Sequence, residues 1–196
     1  MKSKLYCVIA IFLFFLNLKS QQKVYFIDKI DWEINIPEGF SDISAEKKPI
    51  QVVESGSAGQ NKPAKSPGKV EKIVFKGKNR SQLLIQLEKT AIDETKYQQH
   101  IKNFEEAFYL QMKNALLYSE IKRSSSRKLI DGINFYKSIF EITISENITH
   151  HFITYNLLQD QYMIGFVMMS DRDDEIEKMM KVFENESKYK RKTKSN

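Results

Sequence analysis

Cysteine is nearly absent: Cys7 is the only one in 196 residues. A single thiol excludes internal disulfides and any metal site built on two or more thiolates. Cys7 also stands at the start of an apolar run, whereas lipid attachment would need it at the end. If the leading segment is removed, no cysteine nucleophile remains either.

Long hydrophobic runs are just as scarce. The one present, Cys7 to Leu18, is broken near its end by Asn17. A permanent membrane helix needs about 20 apolar residues to cross the hydrocarbon, so this run is too short to serve as one. Lys2 and Lys4 precede it and Lys19-Ser20-Gln21-Gln22 follow it, the order of parts in a secretory signal. Residues 1–20 are therefore expected to be cleaved, leaving an exported chain in the periplasm or outside the cell.

An excess of one charge is also missing. The chain has 31 Lys plus Arg against 25 Asp plus Glu, for a net charge of +6. Residues 1–20 carry Lys2, Lys4 and Lys19 and no acid, so their removal lowers the net charge to +3. This balance supplies no sustained basic surface, and nucleic acid is excluded as the main partner. No Gly-rich phosphate cradle, HExxH, nucleophile elbow or dinucleotide fingerprint occurs.

Proline and glycine number only 4 and 7. Pro49, Pro63, Pro67, Gly56, Gly59 and Gly68 crowd into residues 41–69, where Ser55 to Lys69 lacks any large apolar side chain and reads as a flexible loop. Elsewhere hydrophobic periodicity sets the elements. Tyr25 to Ile36 reads as a strand with Trp32, Ile34 and Ile36 on one face, ended by Pro37-Glu38-Gly39, with Phe40 folding back on the sheet. Ile73 to Phe75 and Leu83, Ile85 and Leu87 mark two more strands.

From Glu94 to Tyr118 neither proline nor glycine occurs, and Tyr97, Ile101, Phe104, Phe108, Met112 and Ala115 form one face of a long helix capped by Asp93. Glu120 to Ile130 reads as a polar edge strand. Asp131-Gly132 turns the chain into Tyr136, Phe140, Ile142 and Ile144, and two further strands span His151 to Leu157 and Tyr162 to Met169. A closing helix follows Ser170, with Asp171, Asp173, Asp174 and Glu175 at its positive end and Ile176, Met179, Met180 and Phe183 on its apolar face. Lys188 to Asn196 reads as a fraying basic tail. The expected fold class is α+β: a mainly antiparallel sheet packed with one long and one shorter helix, in a single domain over residues 21–189 with a basic tail at 190–196.

Three segments carry a resemblance. They are Asp31-Trp32-Glu33-Ile34-Asn35-Ile36-Pro37-Glu38-Gly39-Phe40-Ser41, then Asp131-Gly132-Ile133-Asn134-Phe135-Tyr136, then Ile164 to Ser170 before the closing helix. In order of elements the chain resembles the superfamily of PsbP extrinsic photosystem proteins and DcrB-type envelope lipoproteins, over most of Asp31 to Tyr189. The resemblance implies a sheet sandwiched by helices and transfers no catalytic residue. The chain departs from the lipoprotein members in lacking a cysteine at the processing site. Its leading segment also resembles those of exported Bacteroidetes proteins.

Candidate chemistry is sparse. His150 and His151 are adjacent, and on a strand they point to opposite faces, so they do not grip one ion. The acids from Asp171 to Glu177 lack the turn glycine of a calcium loop and suit a helix start instead. Glu33, Glu88, Glu105, Glu141 and Glu146 offer no basis for choosing a catalytic pair. No catalytic residue, metal ligand or cofactor is assigned. The remaining candidate is Lys122, Arg123, Arg127 and Lys128, a contact for an anionic surface. The expected function is that of a noncatalytic accessory or binding protein whose partner is an envelope protein, a glycan or a small ligand. The alternative is an enzyme using a carboxylate or carboxylate–histidine site.

Overall fold

The computed structural model describes residues 23–44, 70–116, 119–146 and 148–190. The signal expected at 1–20, most of the loop expected at 41–69 and the tail expected beyond Lys190 lie outside them.

The elements run β1 (Lys23–Ile27), β2 (Trp32–Ile36), β3 (Ser41–Asp42), β4 (Val70–Lys76), β5 (Gln82–Lys89), α1 (Glu94–Ala115), β6 (Glu120–Ile130), β7 (Ile133–Ser145), β8 (Ile148–Gln159), β9 (Tyr162–Ser170), α2 (Asp173–Glu186) and β10 (Lys188–Tyr189). Seven strands form one sheet in the order β3-β4-β5-β9-β8-β7-β6, antiparallel throughout. A second sheet has the order β1-β2-β10. The four strands after α1 form the expected meander, and β9 returns to lie beside β5.

Alternation along the strands sends every second side chain to the same face. On one face Leu83, Ile85 and Leu87 of β5 meet Met168, Phe166 and Ile164 of β9, with Ile153, Tyr155 and Leu157 of β8 beyond them. The small sheet and α2 cover this face. Phe183 of α2 touches Phe135, Tyr155 and Phe166 with ring centroids 5.8, 4.7 and 4.7 Å apart, and Trp32 packs edge-on to Phe135 at 5.4 Å. These five side chains are buried almost completely. The opposite face carries Tyr136, Ser138, Phe140 and Ile142 of β7, and α1 lies over it: Phe108 stacks on Phe152 at 4.4 Å and meets Phe140 edge-on at 4.8 Å. The two helices therefore cover opposite faces.

Asp93 caps α1 as expected, its Oδ1 accepting from the Lys96 amide at 2.9 Å. The apolar stripe of α1 is less buried than its length suggests. Only Tyr97 and Ile101 are buried, while Phe104 is 40% exposed.

Three expectations are corrected. The segment Tyr25 to Ile36 is a hairpin rather than one strand: Asp28–Ile30 forms a 3-10 turn, Asp31 takes a left-handed conformation at φ 50°, and β1 folds antiparallel onto β2. Aspartate tolerates that conformation better than most side chains, and Ile30 anchors the turn in the core. The loop expected from Ser41 starts later, because Ser41 and Asp42 pair with Lys76 and Phe75. The tail does not fray from Lys188. Lys188 and Tyr189 pair with Glu33 and Trp32, and the Lys190 amide donates to the Asp31 carbonyl at 2.8 Å. Tyr189 is held by its ring contact with Trp32 at 5.9 Å, which outweighs the solubility of its basic neighbours.

Phe40 folds back on the sheet as expected and lies directly over Gly77. A methyl group at Gly77 would come within 2.6 Å of the Phe40 ring. Gly77→Ala should therefore destabilise the fold by about 1–3 kcal/mol through overpacking, read from urea unfolding. Gly77→Ala combined with Phe40→Leu should lose less than the two single changes summed, and strict additivity would show that the ring does not abut this glycine.

Candidate functional site

The three strongest arrangements of polar groups are built differently. The first centres on Glu184 of α2, which is only 15% exposed. Its carboxylate accepts from Lys137 Nζ at 2.8 Å and the Tyr155 hydroxyl at 2.5 Å, and lies 2.7 Å from Lys128 Nζ. Burial alone would raise its pKa, but these three donors outweigh burial and hold it down at about 2. Burial, reinforced by the neighbouring carboxylate, raises the Tyr155 pKa well above the usual phenol range. Such perturbation can mark an active site. Here every donor is used in tying α2 to β6, β7 and β8, and Glu184 lines neither the depression beside α2 nor the two concavities under α1.

The second is a polar depression of about 590 Å³ beside the start of α2. His151 of β8 stands opposite Glu141 of β7, and its Nε2 lies 2.7 Å from Asp173 Oδ1. Glu146 and Glu177 complete the acidic rim. This is the carboxylate–histidine pairing that the enzyme alternative requires. Yet the Asp173 side chain is 85% exposed, so its charge is solvated rather than held in a dry site. No group of three or more His, Cys, Asp or Glu among the described residues could hold a metal ion. His150 faces the other side of the sheet, as alternation requires.

The third lies under α1, where the helix covers the sheet incompletely. Beneath its first half a small cavity of about 130 Å³ is lined by Tyr97, His100, Glu88 and Asn156 among others. The Tyr97 hydroxyl is buried with no partner among the described residues, and burial raises its pKa well above the usual phenol range. Beneath the second half lies a cleft of about 460 Å³. Phe108, Met112 and Leu116 form its roof and Ile142, Phe152 and Met169 its floor. Arg80, Gln82, His150, His151, Ser170 and Asp171 supply the polar part of its lining. The helix stripe was legible in the sequence, whereas the cleft depends on how far the helix stands off the sheet.

The four basic candidates lie on β6, the edge strand, and alternation divides them between faces. Arg123 and Arg127 share the α1 face with Phe140 and Tyr136, while Lys122 and Lys128 face the α2 side with Glu141 and Phe135. Arg123 donates to Glu106 at 2.6 Å and lies over the Tyr109 ring, and Arg127 donates to the Tyr136 hydroxyl at 2.6 Å. Lys122 lies 3.5 Å from Glu120.

Of the other acids weighed from sequence, Glu33 pairs with Lys190, and Glu105 accepts from the hydroxyls of Ser125 and Ser138, linking α1 to β6 and β7. No helix among the described residues is long and apolar enough to cross a membrane.

This arrangement, a mostly antiparallel sheet packed against two helices, is a PsbP-like sandwich. The fold is similar to the solution structure of cyanobacterial PsbP (CyanoP) from Synechocystis sp. PCC 6803, with a TM-score of 0.52 and 16% identity over 85% of this chain and 92% of that one. No family model matches the chain, and no curated protein matches it in sequence.

The Glu184 cluster yields a signed prediction. A carboxyl held below its ordinary pKa stabilises the fold above its unfolded value, about 4.5, and that contribution is lost as pH falls toward about 2. Glu184→Gln should cost about 2 kcal/mol at neutral pH. It should also flatten the fall in stability between those two values, measured by urea unfolding across pH. A variant that loses stability on acidification as steeply as the parent would refute the assignment.

Proposed function

We propose that the chain is an exported, noncatalytic accessory or binding protein, and that the cleft beneath the second half of α1 takes up an apolar group of its partner or ligand. The observation that carries this reading is the aromatic and aliphatic lining of that cleft, Phe108, Met112 and Leu116 with Ile142, Phe152 and Met169, beside polar side chains, in a volume suited to a small ligand or an inserted side-chain cluster. The likeness of fold to cyanobacterial PsbP supports a noncatalytic role, and the short apolar leader supports export. An anionic partner surface would meet Arg123 with Arg127 on one face of β6 and Lys122 with Lys128 on the other.

The enzyme alternative is favoured by one observation, the His151–Asp173 pair in its acidic depression. Solvation of Asp173 weighs against it, because general acid–base work gains from groups held in a water-excluded site.

Nile red, an apolar dye that brightens when desolvated, tests the cleft. One dye per chain should bind saturably. Ile144→Trp, at the exposed rim, should weaken binding at least tenfold while leaving the thermal midpoint unchanged. Absence of binding, or equal binding by this variant, would remove the cleft from the proposal.

A further inference from the structure

The seven-stranded sheet ends on one side at β3, which has two residues, and on the other at β6, which has eleven. Long open edges are usually blunted by proline, a bulge, brevity or charged side chains, because their free N–H and C=O groups invite another strand. Of these devices β6 has only the charges, Lys122, Arg123, Arg127 and Lys128. It contains neither proline nor glycine, pairs with β7 without a register shift from Glu120 to Ile130, and no described strand pairs with its outer side. Lys122 to Arg127 are all exposed.

The sequence of this edge is a palindrome: Lys122-Arg123-Ser124-Ser125-Ser126-Arg127-Lys128. Antiparallel pairing of two copies about Ser125 would set Lys122 against Lys128 and Arg123 against Arg127. Parallel in-register pairing would set each cation against itself. Like charges directly opposite are destabilising, so a second copy is a poor occupant of this edge. The acids that neutralise three of the four cations lie at the strand's start, Glu120, or inboard on the helices, Glu106 and Glu184. An outboard strand therefore meets the cations first. The Lys122–Glu120 and Arg123–Glu106 pairs are largely solvated, and such pairs exchange partners at little cost.

We infer that β6 accepts, by strand addition, an extended acidic segment of another protein carrying two adjacent acids, three intervening residues and two further adjacent acids. Adjacent residues of the added strand point to opposite faces. One acid of each pair then reaches Arg123 or Arg127 on the α1 face, and the other reaches Lys122 or Lys128 on the α2 face. Because the run is a palindrome, the same spacing matches in either strand direction. Main-chain hydrogen bonds supply attachment and the four charges supply register. The inference is independent of the cleft proposal, since β6 contributes no residue to that cleft, and either can fail alone.

The test compares two labelled peptides of one composition against the full chain by fluorescence anisotropy. One has the core Glu-Glu-Val-Thr-Val-Glu-Glu, and the other the core Glu-Val-Glu-Thr-Glu-Val-Glu, which places all its acids on one face. The first should bind at least tenfold more tightly and slow amide hydrogen exchange across residues 120–130. Lys122→Gln with Arg127→Gln, one change on each face and neither partnering a buried carboxylate, should abolish the preference while leaving the thermal midpoint unchanged. The proposal is overturned by equal affinities, by no binding, by protection elsewhere than β6, or by self-association of the parent chain with protection of β6. Nile red binding, measured on the same preparations, reports the cleft separately.

Discussion

A seven-stranded antiparallel sheet has two faces to remove from water, and this chain covers them unequally. On one side α2 and the β1-β2-β10 sheet together bury Trp32, Phe135, Tyr155, Phe166 and Phe183 in a continuous aromatic contact. On the other, α1 is the one described element that spans the surface. A cylinder with side chains about 10–12 Å across cannot cover a sheet of this width. The concavities under α1 follow from that geometry.

Coverage by α1 is held at its margins by polar contacts rather than by a continuous apolar seam. Glu105 takes the Ser125 and Ser138 hydroxyls, Glu106 takes Arg123, and Tyr136 donates to Glu94 at 3.1 Å. Apart from the bond to the buried Ser138, these contacts are exposed, and exposed pairs contribute little individually. The helix is pinned more firmly by Tyr97 and Ile101 near its start and by Phe108 between Phe140 and Phe152. α2, by contrast, buries Ile176, Met179 and Phe183 and adds the Glu184 network. One helix thus belongs to the core, while the other roofs a space.

Much of the fold was legible because period and turn chemistry reported it directly. The alternation of Leu83, Ile85 and Leu87, the Asp131-Gly132 turn and the Asp93 cap each express a local constraint, and each stands where the pattern put it. The β1–β2 hairpin was hidden because its turn, Asp28-Lys29-Ile30-Asp31, holds neither proline nor glycine, and the buried Ile30 falls in the same period of two as Trp32, Ile34 and Ile36. β10 was hidden for a related reason. A two-residue strand has no periodicity, and Tyr189 in a lysine-rich context gives no hint that Trp32 lies waiting 5.9 Å away. The candidate site was less legible still. Stripe positions name the residues facing the sheet, but the gap between helix and sheet is a property of the assembled layers.

The basic run on β6 illustrates the difference between a sequence neighbourhood and a surface. Read linearly, four cations within seven residues look like one anionic contact. Placed on a strand they become two pairs on opposite faces, each partly answered by acids from a different helix. A flat anionic surface would reach one pair at a time, whereas an added strand lies in the plane of the sheet and presents side chains to both faces together. The same alternation that divides the patch thereby selects the shape of partner able to use all of it.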